Sequence, residues 1–296
     1  MSAELEKARP KVTIRELHAM KARHEPILAL GVYDSVVAGI ADEVGVHILM
    51  NGPSGPMSLF GHTNPTAITE EEQLSTLKAV TRVTRFALTN AHMPYMSYQG
   101  SEREAIATAG RMVAKGGADT VKCDANAKIA GKIRAIVEAG IPVIAHIGLQ
   151  ASRRIEQSGY GIKGKTFEDA NRIFEDAWAL VDAGVFAFVV EHVAPELISH
   201  LTKSLPVPVL SLGSGPEADG VSIVSGDVLN YSAFPRPAHA GQFADLRGLF
   251  KKGLATYAEQ VRSGAYPLEK DAPTMEEAEY EKLIKMLGSE KPNKAR

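Results

Sequence analysis

Eight short apolar runs rich in Val, Ile and Leu recur along this chain, and most are followed by a stretch with helical spacing. The runs fall at 27–30, 47–50, 86–89, 120–123, 142–147, 186–190, 207–212 and 221–224, and each predicts a buried strand. Between them, 35–44, 70–85, 102–115, 127–139, 168–183 and 195–204 space their apolar residues as amphipathic helices do. Gly45, Gly116, Gly117, Gly140 and Gly184 stand where four of these helices give way to the next strand. Glycine enters the left-handed conformation that closes a helix, so each is a stop signal. Strands alternating with helices build right-handed βαβ units and a parallel sheet. Eight of them in 296 residues suit an α/β fold of the closed (β/α)8 or TIM-barrel kind, in one domain. The open dinucleotide-binding alternative lacks support, because the first strand–helix turn, Gly31-Val32-Tyr33-Asp34, has no GxGxxG.

The barrel is expected over 11–267, with a helix at 11–23 before the first strand, against the barrel floor, and a last amphipathic helix at about 243–263. Residues 268–296 read as a peripheral helix, 275–287, and a tail, and 1–10 as a disordered N-terminus. With 33 basic and 35 acidic side chains the net charge is -2, so no bulk field favours nucleic acid or an anionic membrane, and the expected partner is a small molecule. The one cysteine, Cys123, excludes an intramolecular disulfide and a CxxC metal site. Residues 1–10 have no apolar core, so neither a secretory signal nor a membrane anchor is expected, and the cytoplasm follows by default.

Barrel enzymes carry their chemistry at the carboxyl ends of the strands. There the sequence offers Asn51 and Ser54 after the second strand, His92 after the third, Lys122 and Asp124 at the fourth, His146 at the fifth, Glu191 at the sixth, and Ser211 and Ser214 at the seventh. Each has a structural alternative: a lone histidine is often hydrogen-bonded filler, and a lysine beside an aspartate is often an ion pair. The convergence of so many polar groups on one rim argues for a ligand, because unpaired charges cost several kcal/mol to bury. Glu191 ends the apolar run Phe186-Ala187-Phe188-Val189-Val190, a setting suited to a general base, with pairing to Lys122 or His146 as its structural alternative.

Several segments together resemble the ketopantoate (3-methyl-2-oxobutanoate) hydroxymethyltransferase family. They are Gly31-Val32-Tyr33-Asp34, Gly61-His62, Met93-Pro94-Tyr95-Met96-Ser97-Tyr98, Gly117-Ala118-Asp119-Thr120-Val121-Lys122 and Gly140-Ile141-Pro142-Val143-Ile144-Ala145-His146-Ile147-Gly148-Leu149. Gly159-Tyr160 with Gly164, Val189-Val190-Glu191 and Arg262-Ser263-Gly264-Ala265-Tyr266-Pro267 complete the set. They run in family order from about Val12 to Pro267. The resemblance implies the barrel of the phosphoenolpyruvate mutase/isocitrate lyase superfamily. It further implies hydroxymethyl transfer from 5,10-methylenetetrahydrofolate to the enolate of a 2-oxo-acid held by Mg2+, in a cytoplasmic homo-oligomer that is a decamer in the family. By position Glu191 matches the base, Lys122 and His146 match contacts to the oxo-acid, and Ser54 matches another substrate contact. Asp124 matches an acidic residue near the metal, one methylene shorter than the family's glutamate, and Asn51 joins the substrate-binding candidates.

The departures concern the metal. The family's Gly-Asp-Ser-Leu-Gly loop is here Gly52-Pro53-Ser54-Gly55-Pro56, and its Ala-Asp-Leu-Pro-Phe-Met is Ala91-His92-Met93-Pro94-Tyr95-Met96. Both metal aspartates are gone, and magnesium prefers hard oxygen donors. Three outcomes stay open. Catalysis is metal-free, with His92, His146 and Lys122 supplying positive charge. Alternatively, His92 and Asp124, with Asn51 or His62, bind a softer divalent metal such as zinc, manganese or iron. Or the site is degenerate. Two further functions compete with hydroxymethyl transfer. One is a carbon–carbon lyase, decarboxylase or hydrolase of 2-oxo-acids from the same superfamily, although the Lys-Lys-Cys-Gly-His motif of isocitrate lyases is missing. The other is a non-catalytic ligand-binding or assembly homologue.

Overall fold

The computed structural model describes residues 9–288. Most of the N-terminus expected to be disordered, 1–8, and the last eight residues of the tail lie outside the described residues. The chain divides into two compact units between Asp245 and Leu246, whereas the sequence drew its boundary at 267.

In the first unit a helix, α1 (Ile14–Ala22), capped by the Thr13 side chain, precedes the strands. Eight parallel strands then close in chain order. They are β1 (Ile27–Gly31), β2 (Ile48–Asn51), β3 (Leu88–His92), β4 (Thr120–Asp124), β5 (Val143–Gly148), β6 (Ala187–Glu191), β7 (Val209–Leu212) and β8 (Gly220–Val224). The connecting helices are α2 (Ser35–Val44), α3 (Ser54–Phe60), α4 (Glu70–Thr81), α5 (Glu102–Ala114), α6 (Ala130–Glu138), α7 (Phe167–Asp182), α8 (Pro195–Ser204) and the single turn α9 (Ser225–Val228). Caps set several starts. Thr69 and Ser101 form capping boxes with Glu72 and Glu104, and the Asp34 carboxylate accepts from Val37 N–H. The sequence did not foresee α3 and α9.

The strands alternate their burial partners. Ile27, Ala29, Ile48, Met50, Leu88, Ile144, Ala187, Val189 and Leu210 cluster with Leu17 and Met20 of α1, filling the lower barrel. The residues between them, among them Val121, Cys123, Val143, Ala145, Phe188 and Val190, pack outward with Met112, Ile133, Ile136, Leu180 and Ile198 of the helices. The floor is also tied by polar contacts: Lys21 Nζ reaches Asp219 Oδ2 at 2.7 Å, and Asp219 accepts from Val209 N–H at 2.8 Å and, through its carbonyl, from Ile27 N–H at 2.9 Å. With α1 on the floor and apolar layers above it, the polar strand ends are left at the opposite, carboxyl face.

The second unit holds α10 (Leu246–Ser263) and α11 (Glu277–Leu287). Helix α10 exposes Leu249, Phe250, Leu254 and Tyr257. No helix among the described residues is long and apolar enough to cross a membrane.

Closure of the sheet depends on Gly220. It lies opposite Ile27 in the β1–β8 register, and a Cβ there would stand 2.1 Å from the Ile27 carbonyl oxygen. Gly220→Ala must therefore push β1 and β8 apart. It is expected to cost about 1–3 kcal/mol or more, as overpacking against backbone does. A denaturant midpoint unchanged from the parent would show that the seam tolerates a methyl group.

Candidate active site

Strands β3 to β6 deliver five ionisable side chains to the mouth, from positions that face the barrel axis. His92 ends β3, Lys122 and Asp124 lie two apart on β4, His146 is the fourth residue of β5 and Glu191 ends β6. Register brings them level: His92 pairs with Lys122, Asp124 with His146, and His146 with Val189, two residues before Glu191. His92, Lys122, Asp124 and His146 are buried, and Glu191 is partly open, its side chain 19% exposed.

His146 is the centre of this group. Its Nδ1 lies 2.9 Å from Asp124 Oδ1, and its Nε2 lies 2.9 Å from Glu191 Oε2, the second being a charge contact without an aligned hydrogen bond. Burial and the Lys122 charge push the His146 pKa down, but the two carboxylates outweigh them, and the net shift is upward. Burial works against the Asp124 carboxylate, yet His92, His146 and Lys122 hold its pKa well below the usual carboxylate range. Asp124 is thus an anion and His146 is biased to the imidazolium. Around them Tyr98 Oη donates to the Asp124 carbonyl at 3.0 Å, and Gln150 Nε2 donates to the carbonyls of Ala125 and His146, fixing the ends of β4 and β5.

The Lys122 ammonium makes no hydrogen bond or ion pair with the described residues. Burial lowers its pKa, while the Asp124 and Glu191 charges oppose that shift. A buried ammonium without a partner is a strong sign of a site for an anionic ligand. His92 differs from the other cations expected from sequence. Burial pushes its pKa down to about 3, the Lys122 and His146 charges add to that, and Asp124, 3.9 Å from its Nε2, only partly offsets it. The expected cation at this position is therefore a neutral imidazole. Its Nδ1 is buried and unpartnered.

Other candidates stand elsewhere. Asn51 ends β2 on the outward side, where its Nδ2 donates to the Val32 carbonyl and its Oδ1 accepts from Gln73 and Thr76 of α4. Its amide is saturated by the wall of the barrel, which corrects the expectation of a substrate contact. Ser211 and Ser214 are also structural: Ser211 Oγ donates to the Gly215 carbonyl, and Ser214 Oγ to that of Val190. His62 pairs with Glu72 of α4 at 2.8 Å. Ser54 is half-buried at the first position of α3, on the loop leaving β2 at the mouth. Sequence reasoning missed His192 and His239. His192 directly follows the base candidate, but His239 is more than forty residues on, in a loop with no periodic signal.

These residues do not fit a magnesium site of two carboxylates. Pro53 has no donor, His92 is an imidazole, and Asp124 Oδ1 is engaged by His146. No group of three or more His, Cys, Asp or Glu among the described residues is arranged to hold a metal ion.

A closed eight-stranded parallel barrel with a lysine, two histidines and two carboxylates at its carboxyl mouth has the layout of a (β/α)8-barrel enzyme. Its backbone is similar to phosphonopyruvate hydrolase (TM-score 0.56, 16% identity, 93% of this chain and 94% of that one). It is also similar to 2,3-dimethylmalate lyase, a member of the phosphoenolpyruvate mutase/isocitrate lyase superfamily (TM-score 0.54, 16% identity, 93% and 99%). The family model for ketopantoate hydroxymethyltransferase matches residues 11–269, and the chain belongs to that family. Among its relatives is 3-methyl-2-oxobutanoate hydroxymethyltransferase of Hyperthermus butylicus, 37% identical over 282 residues, 95% of this chain and 97% of the relative. The enzyme of that name from Moorella thermoacetica is 37% identical over 259 residues, covering 88% and 96%. The protein is an enzyme of one-carbon transfer.

The two histidines should titrate in opposite directions. By NMR of the imidazole nitrogens, His146 is expected to stay protonated above the ordinary histidine value, and His92 to stay neutral down to a pH of about 3. Asp124→Asn should lower the His146 midpoint, because it removes one of the two carboxylates 2.9 Å from the ring. An unchanged midpoint would mean that Asp124 does not charge the ring.

Proposed function

We propose that this enzyme transfers a hydroxymethyl group from 5,10-methylenetetrahydrofolate to a 2-oxo-acid such as 3-methyl-2-oxobutanoate, and that it does so without the two-carboxylate magnesium site. The observation that carries the mechanism is the row Asp124–His146–Glu191 beside an unpartnered Lys122. Lys122 binds the anionic oxo-acid and meets the negative charge that develops on its carbonyl oxygen. Glu191, the most exposed of the five groups, takes the proton from the carbon beside the ketone. His146, anchored by Asp124, holds the Glu191 carboxylate in place by charge and keeps its oxygens directed to the mouth. His92 offers a neutral N–H or lone pair to the substrate, consistent with its unpartnered Nδ1, and Ser54 stands at the mouth as a further polar contact. The folate supplies the one-carbon unit as an electrophile, and water supplies the hydroxyl oxygen of the product.

Charge balance favours this account. Two cations, Lys122 and His146, face two anions, Asp124 and Glu191. Losing two carboxylates together with one dication changes the net charge of the site by nothing, so the enolate meets preorganised protein donors where the relatives' pattern uses a metal. A homo-oligomer, as in the family, is supported by the exposed apolar side chains Val36, Ile40 and Val44 on α2 and Leu249, Phe250 and Leu254 on α10. It is checked by light scattering.

Two measurements test the mechanism. Glu191→Gln should keep oxo-acid binding by calorimetry but abolish solvent deuterium exchange at the carbon beside the ketone; exchange at the parent rate would remove Glu191 from the role. The parent should keep its activity after chelation and show no tightly held metal in elemental analysis. The double change Pro53→Asp with His92→Asp should make activity depend on added magnesium. Loss of parent activity on chelation, restored by zinc, manganese or iron, would instead make His92 a metal ligand.

A further inference from the structure

Glu191 must lose the proton it takes before it can act again. Of the ionisable groups whose charge acts on it or through it, His146 and Lys122 are buried cations. As protonated groups, neither can accept a second proton. A third group stands on the other side. His239 lies on the loop after α9, and its ring rests on Gly213, where an added Cβ would meet the imidazole at 2.7 Å. Gly213 immediately follows Leu212, the register partner of Glu191 across β6 and β7, so His239 sits over the rim beside the base. Its ring centroid is 5.7 Å from that of His192, the residue after Glu191.

The pair is held in place. His192 adopts a left-handed backbone (φ 51°), rare for a residue with a side chain, and its amide donates to the Leu212 carbonyl at 2.9 Å. Its Nδ1 is buried without a partner. On the loop side of the contact, Ala240 is buried and its carbonyl accepts from Arg236 Nη1, which pins the loop next to His239, while His239 itself stays accessible to solvent. A strained backbone at a rim residue, a glycine that admits only the imidazole, and a buried nitrogen with no partner converge on one point next to the base.

We propose that His239, oriented by His192 and Gly213, carries the substrate's proton from Glu191 to solvent. The step is balanced. The C–H proton moves to the Glu191 carboxylate, then to the His239 ring nitrogen, which becomes imidazolium, and then to water, returning the carboxylate anion and the neutral imidazole. In the reverse sense it delivers a solvent proton to the enolate. Partial burial and the neighbouring His192 lower the His239 pKa, with the Glu191 charge opposing them, which favours the neutral, proton-accepting ring. His239 acts through Glu191 and not on the substrate. The inference rests on Glu191 being the base.

The test uses the full-length enzyme. His239→Gln should lower kcat and the rate of deuterium exchange at the substrate carbon by about 10²-fold, the lower end of the general acid–base range, while KM for the oxo-acid and the thermal midpoint stay unchanged. Added imidazole should restore both rates toward the parent, which a merely structural loss would not permit. His192→Asn, which suits a left-handed backbone, should give a smaller loss and respond to imidazole in the same way. Rates within twofold of the parent in His239→Gln, or a loss that imidazole leaves untouched, overturn the proposal. Exchange needs no one-carbon donor. A parent that exchanges the proton but forms no hydroxymethylated product therefore sinks the transfer reaction, and the relay is then judged on exchange alone.

Discussion

In a closed parallel barrel a strand hands every second side chain to the axis and the others to the surrounding helices, and the composition of the mouth follows from that alternation. On β4 it turns Thr120, Lys122 and Asp124 inward and sends Val121 and Cys123 to the helices. On β5 it turns Ile144 and His146 inward, the first into the lower barrel and the second to the rim. The apolar layers below exclude water from the ends of the charged side chains above, and α1 closes the other end. Burial of this kind turns four adjacent polar residues into a coupled electrostatic unit.

Within that unit the imidazole of His146 decides the rest. In water an exposed ion pair contributes little, but here two carboxylates lie 2.9 Å from opposite nitrogens of one buried ring. The arrangement is satisfied only while His146 carries a proton, and that proton fixes Asp124 as an anion and holds Glu191 at the mouth. Burial, against the partial offset of Asp124 and with smaller help from Lys122 and His146, depresses His92, so the fifth group stays neutral beside the two cations. The positive field expected from three residues comes from two.

Much of this was legible in the sequence because the fold writes itself as a period. Apolar runs ended by polar residues gave the eight strands, glycine stops gave the helix ends, and Lys122, Asp124, His146, Glu191 and His92 all stand on the rim. What failed to show was the side of the strand. Asn51 and Ser211 also follow apolar runs, but their positions in the alternation turn them outward, to α4 and to the turn after β7. In a strand buried on both faces the apolar run carries no alternation to read, so the parity of its last residue is hidden. Helix α3 was hidden for another reason: Pro53-Ser54-Gly55-Pro56 has the composition of a turn, yet a proline at the start of a helix costs nothing, and Gly55 is required where its hydrogen faces Tyr33 at a distance no side chain permits. The charge state of His92 and the approach of His239 are products of tertiary burial and contact, which no local pattern encodes.

The two departures from the family pattern make physical sense only together. An aspartate at position 92 would stand near Asp124, whose Oδ1 is now 3.9 Å from the His92 ring. Two unit charges about 4 Å apart interact by about 4 kcal/mol at an effective dielectric of 20, and here the sign would be repulsive. A dication between them converts that cost into attraction. Without the dication, the cost is avoided by a neutral group, and a buried imidazole with a pKa of about 3 is such a group. Proline at position 53 removes the second anion, which would have nothing left to balance it. On the proposed mechanism, the neutral His92, the missing carboxylate at 53 and the unpartnered Lys122 ammonium are one electrostatic solution: a metal and its ligands can be given up at no change in net charge, leaving Glu191 as base, His146 as its anchor and Lys122 for the substrate.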